Sequence, residues 1–294
     1  MKYLAMIQAR CGSARLPDKV LKDLCGKPQL QRVIERVKKS RYTDEVMVVT
    51  SIDRANLPIL GLCAGIGIRA GTGSEEDVLD RYYQNAKLLE PEYVIRITGD
   101  CPCIDPGIID AMILQTEEDP DIDYCSNTVT EDMADGLDVE IMKFEALERS
   151  WREARHSSER EHVTQYILKH PEIFRVADYP SPAGDFGGHR WTVDEPEDLE
   201  LVRQIYDHFL NDLGQEDFSY LDILDFLGKH PQIQAVNGQY RRNEGLEKSV
   251  REDRICVPEE WGHAGRHQEG GRGKWNAESM KTEKDSSCTG KRKK

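Results

Sequence analysis

No uninterrupted apolar run in this sequence approaches the roughly 20 residues of a membrane span, and the opening MKYLAMIQAR is short and runs straight into a strand pattern. A soluble, unexported, cytoplasmic protein without a membrane partner is expected. A cationic excess is also missing. The formal charge of −14 argues against a general nucleic-acid binder, because such surfaces need an excess of cations to gain counterion release. Local clusters of Lys and Arg therefore carry information. Eight cysteines are present, but none form a CxxC pair, so neither a disulfide framework nor a zinc site is implied and reduced thiols are expected. Cys101 and Cys103 flank a proline in DCPCID, which leaves a metal or redox pair as the minor alternative.

What is present is alternation. YLAMIQA is followed by LQRVIERVKKS, EVMVVTS by LPILGLCAG, IGIRAGT by DVLDRYYQNAKLLE, and YVIRITGD by PGIIDAMILQTEE. Strand and helix in turn predict an α/β fold, a mixed, mostly parallel sheet with helices on both faces. VMVVT and YVIRI are nearly continuous in apolar character, as strands buried on both sides are. Ligands collect beyond the carboxyl ends of such strands, which places the loops at 8–19, 70–77 and 98–105 on one edge.

The order then loosens. LDVEIMKF, the helices FEALERSWREA and SEREHVTQYILKH, FRVADYP and a strand in HRWTVD suggest a mixed sheet or an arm leaving the body. A long helix is expected in EPEDLELVRQIYDHFL, where Pro196 suits the first turn and Glu195, Glu197 and Asp198 suit the positive end of the dipole. SYLDILDFLGKHP reads as another helix. The length fits one large domain with an extension: a main domain over 1–212, a helical extension over 213–254, and a disordered tail over 255–294. That tail has too few aliphatic residues to offset its ordering entropy. Its terminal KRKK is either solvated or a nucleic-acid or localisation tag, and the abrupt change of character also allows an altered reading frame.

Residues 7–21, IQARCGSARLPDKVL, leave a hydrophobic strand with three cations around a Gly-Ser pair. Gly12 permits close backbone approach, Ser13 adds a hydroxyl, and Arg10, Arg15 and Lys19 can surround phosphate oxygens. A nucleoside triphosphate is the natural guest, and a solvated basic turn is the alternative. The loop fits neither GxGxxG nor GxxxxGK[ST], which disfavours a dinucleotide fold of the usual kind and a P-loop NTPase. Asp100 in RITGDCPCIDP and Asp194 in HRWTVDEPEDLE each sit at a strand end, where each is either a turn or cap residue or a ligand for a hard cation. A magnesium ion on a triphosphate uses one or two protein carboxylates, so the two together gain interest. Ser74, Asp77 and Arg81 in AGTGSEEDVLDRYYQ read as a capped helix start or a base-binding loop. Asp138 and Glu140 alternate onto one strand face, toward sugar hydroxyls or solvent. SEREHVTQY reads first as a capping box from Ser158 to Glu161, with His162 more often structural than catalytic.

In chain order, IQARCGSARLPDKVL, SEEDVLDRYYQ, RITGDCPCIDP, DGLDVE, SEREHVT and HRWTVDEPEDLELV resemble the acylneuraminate cytidylyltransferase family, nearest to its spore-coat polysaccharide biosynthesis protein F group, over residues 1–254. The resemblance implies a Rossmann-like nucleotidyltransferase fold that joins CTP to an acidic sugar with release of pyrophosphate, in surface polysaccharide biosynthesis. It also implies a homodimer formed through the middle segment. By position it makes Arg10, Gly12, Ser13, Arg15 and Lys19 triphosphate contacts, completes the nucleotide pocket with Ser74, Asp77 and Arg81, and gives Mg2+ to Asp100 and Asp194. It assigns the catalysis to Arg10, Lys19 and Asp100. Asp138, Glu140, Glu161, His162 and Arg190 fall in the sugar region. Cys11 and Asp18 depart from the Met and Gly expected at their places, and Cys103 from an aliphatic residue; Asp18 puts a negative charge beside the phosphate loop. Two rivals remain: a metal-dependent glycosyltransferase with Asp121 and Asp123 of DPDIDY as its DxD, and a catalytically silent sugar-nucleotide-binding protein.

Overall fold

Alternate residues of strand β1 (Tyr3–Gln8) enter two different cores, Ala5 and Ile7 one and Leu4 and Met6 the other, and all four are fully buried. A strand apolar on both sides belongs in the middle of a covered sheet. The computed structural model, which describes residues 1–256, puts it there. β1 pairs in parallel with β4 (Glu45–Ser51) and β6 (Tyr93–Thr98), so that Ile7 lies opposite Val48 and Ile97. β5 (Arg69–Gly73) extends the parallel set beyond β4. β8 (Glu140–Lys143) runs antiparallel to β6 and to β7 (Tyr124–Ser126), and β7 pairs in parallel with β9 (Val176–Asp178).

Among the described residues these seven strands form one sheet in the order β5-β4-β1-β6-β8-β7-β9. A small ribbon of β2 (Asp23–Leu24) and β3 (Lys27–Pro28) stands apart. The chain builds outward from β1 to β4 and β5, then returns to β6 on the other side. The order thus reverses between β1 and β6, the point at which sheets of this kind leave a crevice beyond the carboxyl ends of their strands.

Helices cover both faces. Val33 and Ile34 of α1 (Gln29–Val37), Ile59 of α2 (Leu57–Gly65), Ile109 and Met112 of α4 (Pro106–Glu118), Val202 of α8 (Pro196–Asp207) and Ile223 of α9 (Tyr220–Lys229) join the core of Ile7. Leu79 and Tyr82 of α3 (Val78–Lys87), Leu147 of α5 (Phe144–Glu153) and Ile167 of α7 (Gln165–Lys169) join that of Met6. The short α10 (Pro231–Gln234) and α11 (Glu244–Arg251) end the described chain, and Met1–Cys256 form one compact unit. Apart from Ile255 and Cys256, the tail expected to be disordered lies outside the described residues, KRKK included.

Four local expectations are corrected. HRWTVD forms no strand; Arg190 makes a single bridge to Asp135, and the segment serves as a buried connection. The helix expected over SEREHVTQYILKH breaks into α6 (Ser157–Glu161) and α7, because Val163 takes φ 53, where a β-branched residue cannot continue a right-handed helix. The capping box there runs from His156 to Glu159 rather than from Ser158 to Glu161. Asp138 precedes β8, so it does not share a strand face with Glu140.

Candidate active site

β1 hands the chain to a loop that closes on itself. The Ser13 and Asp18 amides donate to the Cys11 carbonyl at 2.9 and 3.2 Å, and the Cys11 amide donates to Asn56 Oδ1 at 2.8 Å. That fold delivers Lys19 to the crevice. After β6 the Gly99 amide continues the pairing to the Gln8 carbonyl at 2.8 Å, and a Cβ at 99 would stand 2.9 Å from that oxygen. Glycine is needed for this approach, and Asp100 follows it. The Val193 amide donates to the Asp100 carbonyl at 2.8 Å, which sets Asp194 beside Asp100.

At the centre, Lys19 Nζ lies 2.6 Å from Asp100 Oδ2 and 2.5 Å from Asp194 Oδ1. Burial works to neutralise Lys19, but Asp100 and Asp194 outweigh it and hold the ammonium protonated well above its ordinary range. Burial likewise opposes the charge on Asp100, and Lys19, with a hydrogen bond from Thr98, holds the carboxylate ionised below the ordinary range. Two anionic oxygens thus share one cation.

Such a pair suits magnesium. Its donors are hard oxygens, they already converge on a positive charge, and among the described residues no three His, Cys, Asp or Glu side chains form a closed cage. Mg2+ is normally held this way, by one or two carboxylates with substrate phosphates and water filling the rest. Asp100 and Asp194 would hold it.

The cations of the first loop line the same place. Arg15, about half exposed, reaches Asp194 Oδ2 at 3.2 Å and Glu195 Oε1 at 3.0 Å. Arg10 reaches Glu75 Oε1 at 3.3 Å. Ser13 Oγ accepts from the Leu16 amide at 3.3 Å, and a Cβ on Gly12 would meet nothing closer than Glu75 at 3.7 Å, so the free fold does not itself demand glycine there. Asp18, where the resemblance expects Gly, has the left-handed φ of 54 that glycine adopts freely.

Ser74, Asp77 and Arg81 realise the capped helix. Asp77 is the N-cap of α3, accepting from the Asp80 amide at 2.9 Å, and its other oxygen accepts from Arg160 Nε at 3.0 Å. The Ser74 hydroxyl accepts from the Asp77 amide at 3.0 Å, and Arg81 Nη2 donates to the Ser74 and Glu75 carbonyls at 2.6 and 3.0 Å. Asp77 and Arg81 are buried and shape the 74–76 backbone from beneath. Gly71 and Gly73 make room for α3 itself: a Cβ at 71 would stand 1.8 Å from Asn85 Oδ1, and one at 73 would stand 2.8 Å from Arg81 Cγ.

Arg190 is placed at the centre of a carboxylate cluster. Its Nε and Nη2 clasp Asp198 at 3.0 and 3.1 Å, Nη2 also reaches Asp194 Oδ2 at 3.1 Å, and Nη1 reaches Asp135 Oδ2 at 2.7 Å. It positions Asp194 rather than facing a ligand with free donors. Asp135, Asp198 and Arg242 were not singled out from sequence. Asp198 was visible only as a favourable helix-start charge; in place it accepts from the Asp194 and Glu195 amides, both at 2.9 Å. Asp135 is pushed up in pKa by burial and by Asp138, against Arg190 and Arg242. Its one local signal was the following glycine: Gly136 has φ 112, and a Cβ there would lie 2.5 Å from the Thr192 amide nitrogen.

The remaining sugar-region residues divide. Asp138 accepts from Arg242 Nη2 at 2.7 Å and stands near enough to Asp100 to feel its charge. Glu140 is buried in a closed network, with Tyr124 and Thr164 hydroxyls each at 2.6 Å and the Arg96 guanidinium. Glu161 is more exposed and accepts from Ser249 Oγ at 2.8 Å. His162 Nε2 is buried without a hydrogen bond, and burial lowers its pKa. Asp121 and Asp123 precede β7, which runs in the same sense as β6, so they lie at the opposite edge of the sheet from Asp100, tied to Arg175 and Lys143. Cys101 and Cys103 are buried free thiols.

Known proteins resemble this chain in sequence and in fold. A family model described as cytidylyltransferase matches residues 4–222. The chain is 38% identical over 254 residues to an uncharacterized protein of Methanocaldococcus jannaschii, covering 86% of this chain and 99% of that one. It is 32% identical over 244 residues to the spore coat polysaccharide biosynthesis protein SpsF of Bacillus subtilis, covering 78% and 95%. The 3-deoxy-manno-octulosonate cytidylyltransferase of Geobacter sulfurreducens is 35% identical over 120 residues, 41% of this chain and 47% of that one. Among solved structures, a cytidylyltransferase from Leptospira borgpetersenii superposes with a TM-score of 0.76 at 31% identity, covering 82% of this chain and all of that one.

Proposed function

The chain belongs to the cytidylyltransferase family, and from that premise we propose that it transfers CMP from CTP to a hydroxyl of an acidic sugar, releasing pyrophosphate, in the making of a surface polysaccharide. The observation that carries this reading is the Lys19 ammonium held between Asp100 and Asp194 in the crevice beyond β1 and β6. A site that already balances clustered carboxylates with paired cations is prepared for an anion and its counter-ion.

The sugar oxygen bonds to the α-phosphorus, the bond from that phosphorus to the α,β-bridging oxygen breaks, and the hydroxyl proton passes to solvent. Lys19 turns its charge from the carboxylates to the phosphates as the triphosphate enters, and Arg10 and Arg15 receive its terminal oxygens, with the Ser13 hydroxyl beside them. Positioning and charge neutralisation dominate this chemistry, so no side chain need be a strong base. When bound, Mg2+ neutralises phosphate charge and acidifies the attacking hydroxyl. Arg190 and Asp198 keep Asp194 aimed throughout. The same proposal includes a homodimer built on the middle segment and a cytoplasmic setting; among the described residues no helix is long and apolar enough to cross a membrane.

The test is a matrix of four nucleoside triphosphates against acidic sugars, scored for pyrophosphate. CTP with at least one acidic sugar should release it. Sugar transfer from a nucleotide-sugar without pyrophosphate would replace the proposal with glycosyl transfer, and CTP binding without turnover would leave a silent binder.

A further inference from the structure

Beyond α10 the chain returns to the site as an arm. Asn237 Nδ2 donates to the Arg190 carbonyl and to Asp198 Oδ1 at 2.9 and 2.8 Å, Ser249 reaches Glu161, and Asp253 accepts from the Ser158 amide at 3.0 Å. α11 buries none of its residues, so polar contacts hold this stretch in place.

The arm carries one guanidinium inward. The Arg242 side chain is only 13% exposed; its Nη2 donates to Asp138 Oδ1 at 2.7 Å and its Nη1 to the Met133 carbonyl at 3.0 Å. Its Nε has no partner among the described residues, and each terminal nitrogen keeps a further N–H. Arg190, in contrast, has every nitrogen engaged by Asp135, Asp194, Asp198 and the Arg241 carbonyl. Asn243, next to Arg242, takes φ 63, a left-handed turn conformation that asparagine adopts readily.

Strand order decides which substrate meets this group. Arg10 and Glu75 lie on the β4–β5 side of the crevice, Asp100 follows β6, and residues 133–138 lead into β8, on the far side of β6 from β1. In-line displacement brings the attacking oxygen in opposite the departing pyrophosphate, so the acceptor enters from the β8 side. That side is rich in negative charge: Asp100 and Asp138 both act on Asp135. A sugar carboxylate arriving there is repelled unless a cation receives it.

We propose that Arg242 binds the carboxylate of the acceptor and so sets the preference for acidic over neutral sugars. This rests on the CMP-transfer reading above. Arg242 lies past residue 222, where the family match ends, so the selectivity belongs to the arm rather than to the shared core.

The probes are 3-deoxy-manno-octulosonate, N-acetylneuraminate and the C1 amide of each, with CTP, on the full chain. Wild type should favour acid over amide by at least about tenfold in kcat/KM, in keeping with a buried charge-assisted hydrogen bond. Arg242→Met should reduce that ratio to within about twofold with the KM for CTP little changed, and Arg242→Lys should keep part of it. Misfolding of the arm would be seen as a rise in the KM for CTP and as loss of the partial preference in Arg242→Lys, whereas a full acid preference in Arg242→Met overturns the inference. So does a wild type indifferent to the carboxylate. A wild type that uses none of the probes but does use uncharged sugars overturns the acidic-sugar reading and this inference with it.

Discussion

The Val193 amide donates to the Asp100 carbonyl at 2.8 Å, so a backbone link as well as shared cations brings the carboxylates of Asp100 and Asp194 together. Like charges would otherwise separate. The link, the clasp of Arg190 on Asp194 and the ammonium of Lys19 keep them converged.

Asp100→Asn and Asp194→Asn preserve that link and remove one anionic oxygen donor. Each should lower the rate of pyrophosphate release by at least about 10²-fold, as loss of a preorganised electrostatic group does. The double variant should fall little further, because the two act as a unit. Near wild-type turnover in either single variant would remove the pair from the mechanism.

Lys19→Met leaves two neighbouring, partly buried carboxylates without their shared cation. Breaking such a pair costs roughly 3 kcal/mol, so the Tm should fall by several degrees. Added Mg2+ should then raise the Tm of the variant more than that of wild type, because the ion takes the vacated position. Equal responses to Mg2+ would show that the two carboxylates do not form its site.

Asp18→Gly should both stabilise the fold and tighten CTP. The residue holds φ 54, which costs an L-residue about 1 kcal/mol, and its negative charge lies in the loop that carries Arg10, Arg15 and Lys19. Denaturant unfolding and the KM for CTP report the two effects separately. A variant that is less stable and binds CTP no better would show that the aspartate has a local role of its own.

His162 gives the acid limb of stability a definite sign. Burial lowers its pKa in the fold below 6.5, so the unfolded chain takes up the proton first. Its contribution is complete above 6.5 and is lost as pH falls through the folded value. His162→Gln should flatten unfolding free energy against pH below 6.5. Parallel profiles for variant and wild type across that window would assign the dependence elsewhere.

The parallel half of the fold could be read directly, because VMVVT and YVIRI are apolar on both faces and each is followed by a helical pattern. HRWTVD could not. Its apolar residues alternate as a strand does, yet they are buried by contacts with the 133–137 turn rather than by a neighbouring strand. The capping box at Ser158 had the right spacing in the wrong frame, since His156 and Glu159 compete for the same turn. Arg10, Arg15, Lys19, Asp100 and Asp194 carried recognisable charges in turns and loops between periodic segments. Asp135 and Arg242 did not, because their meaning comes from partners far along the chain.

The amino-acid order alone settled the alternation of strand and helix, the two-faced burial of the central strands and the shared edge of the loops after β1, β5 and β6, because side-chain periodicity and turn chemistry act over a few residues. It also placed a cationic loop after the first strand. Only the folded chain decided that Lys19 lies between Asp100 and Asp194, that Arg190 is engaged by carboxylates, and that the C-terminal arm lends Arg242 to Asp138. Those relationships join residues separated by up to 175 positions. They depend on which strands pair and which loops cross, and no local pattern encodes them.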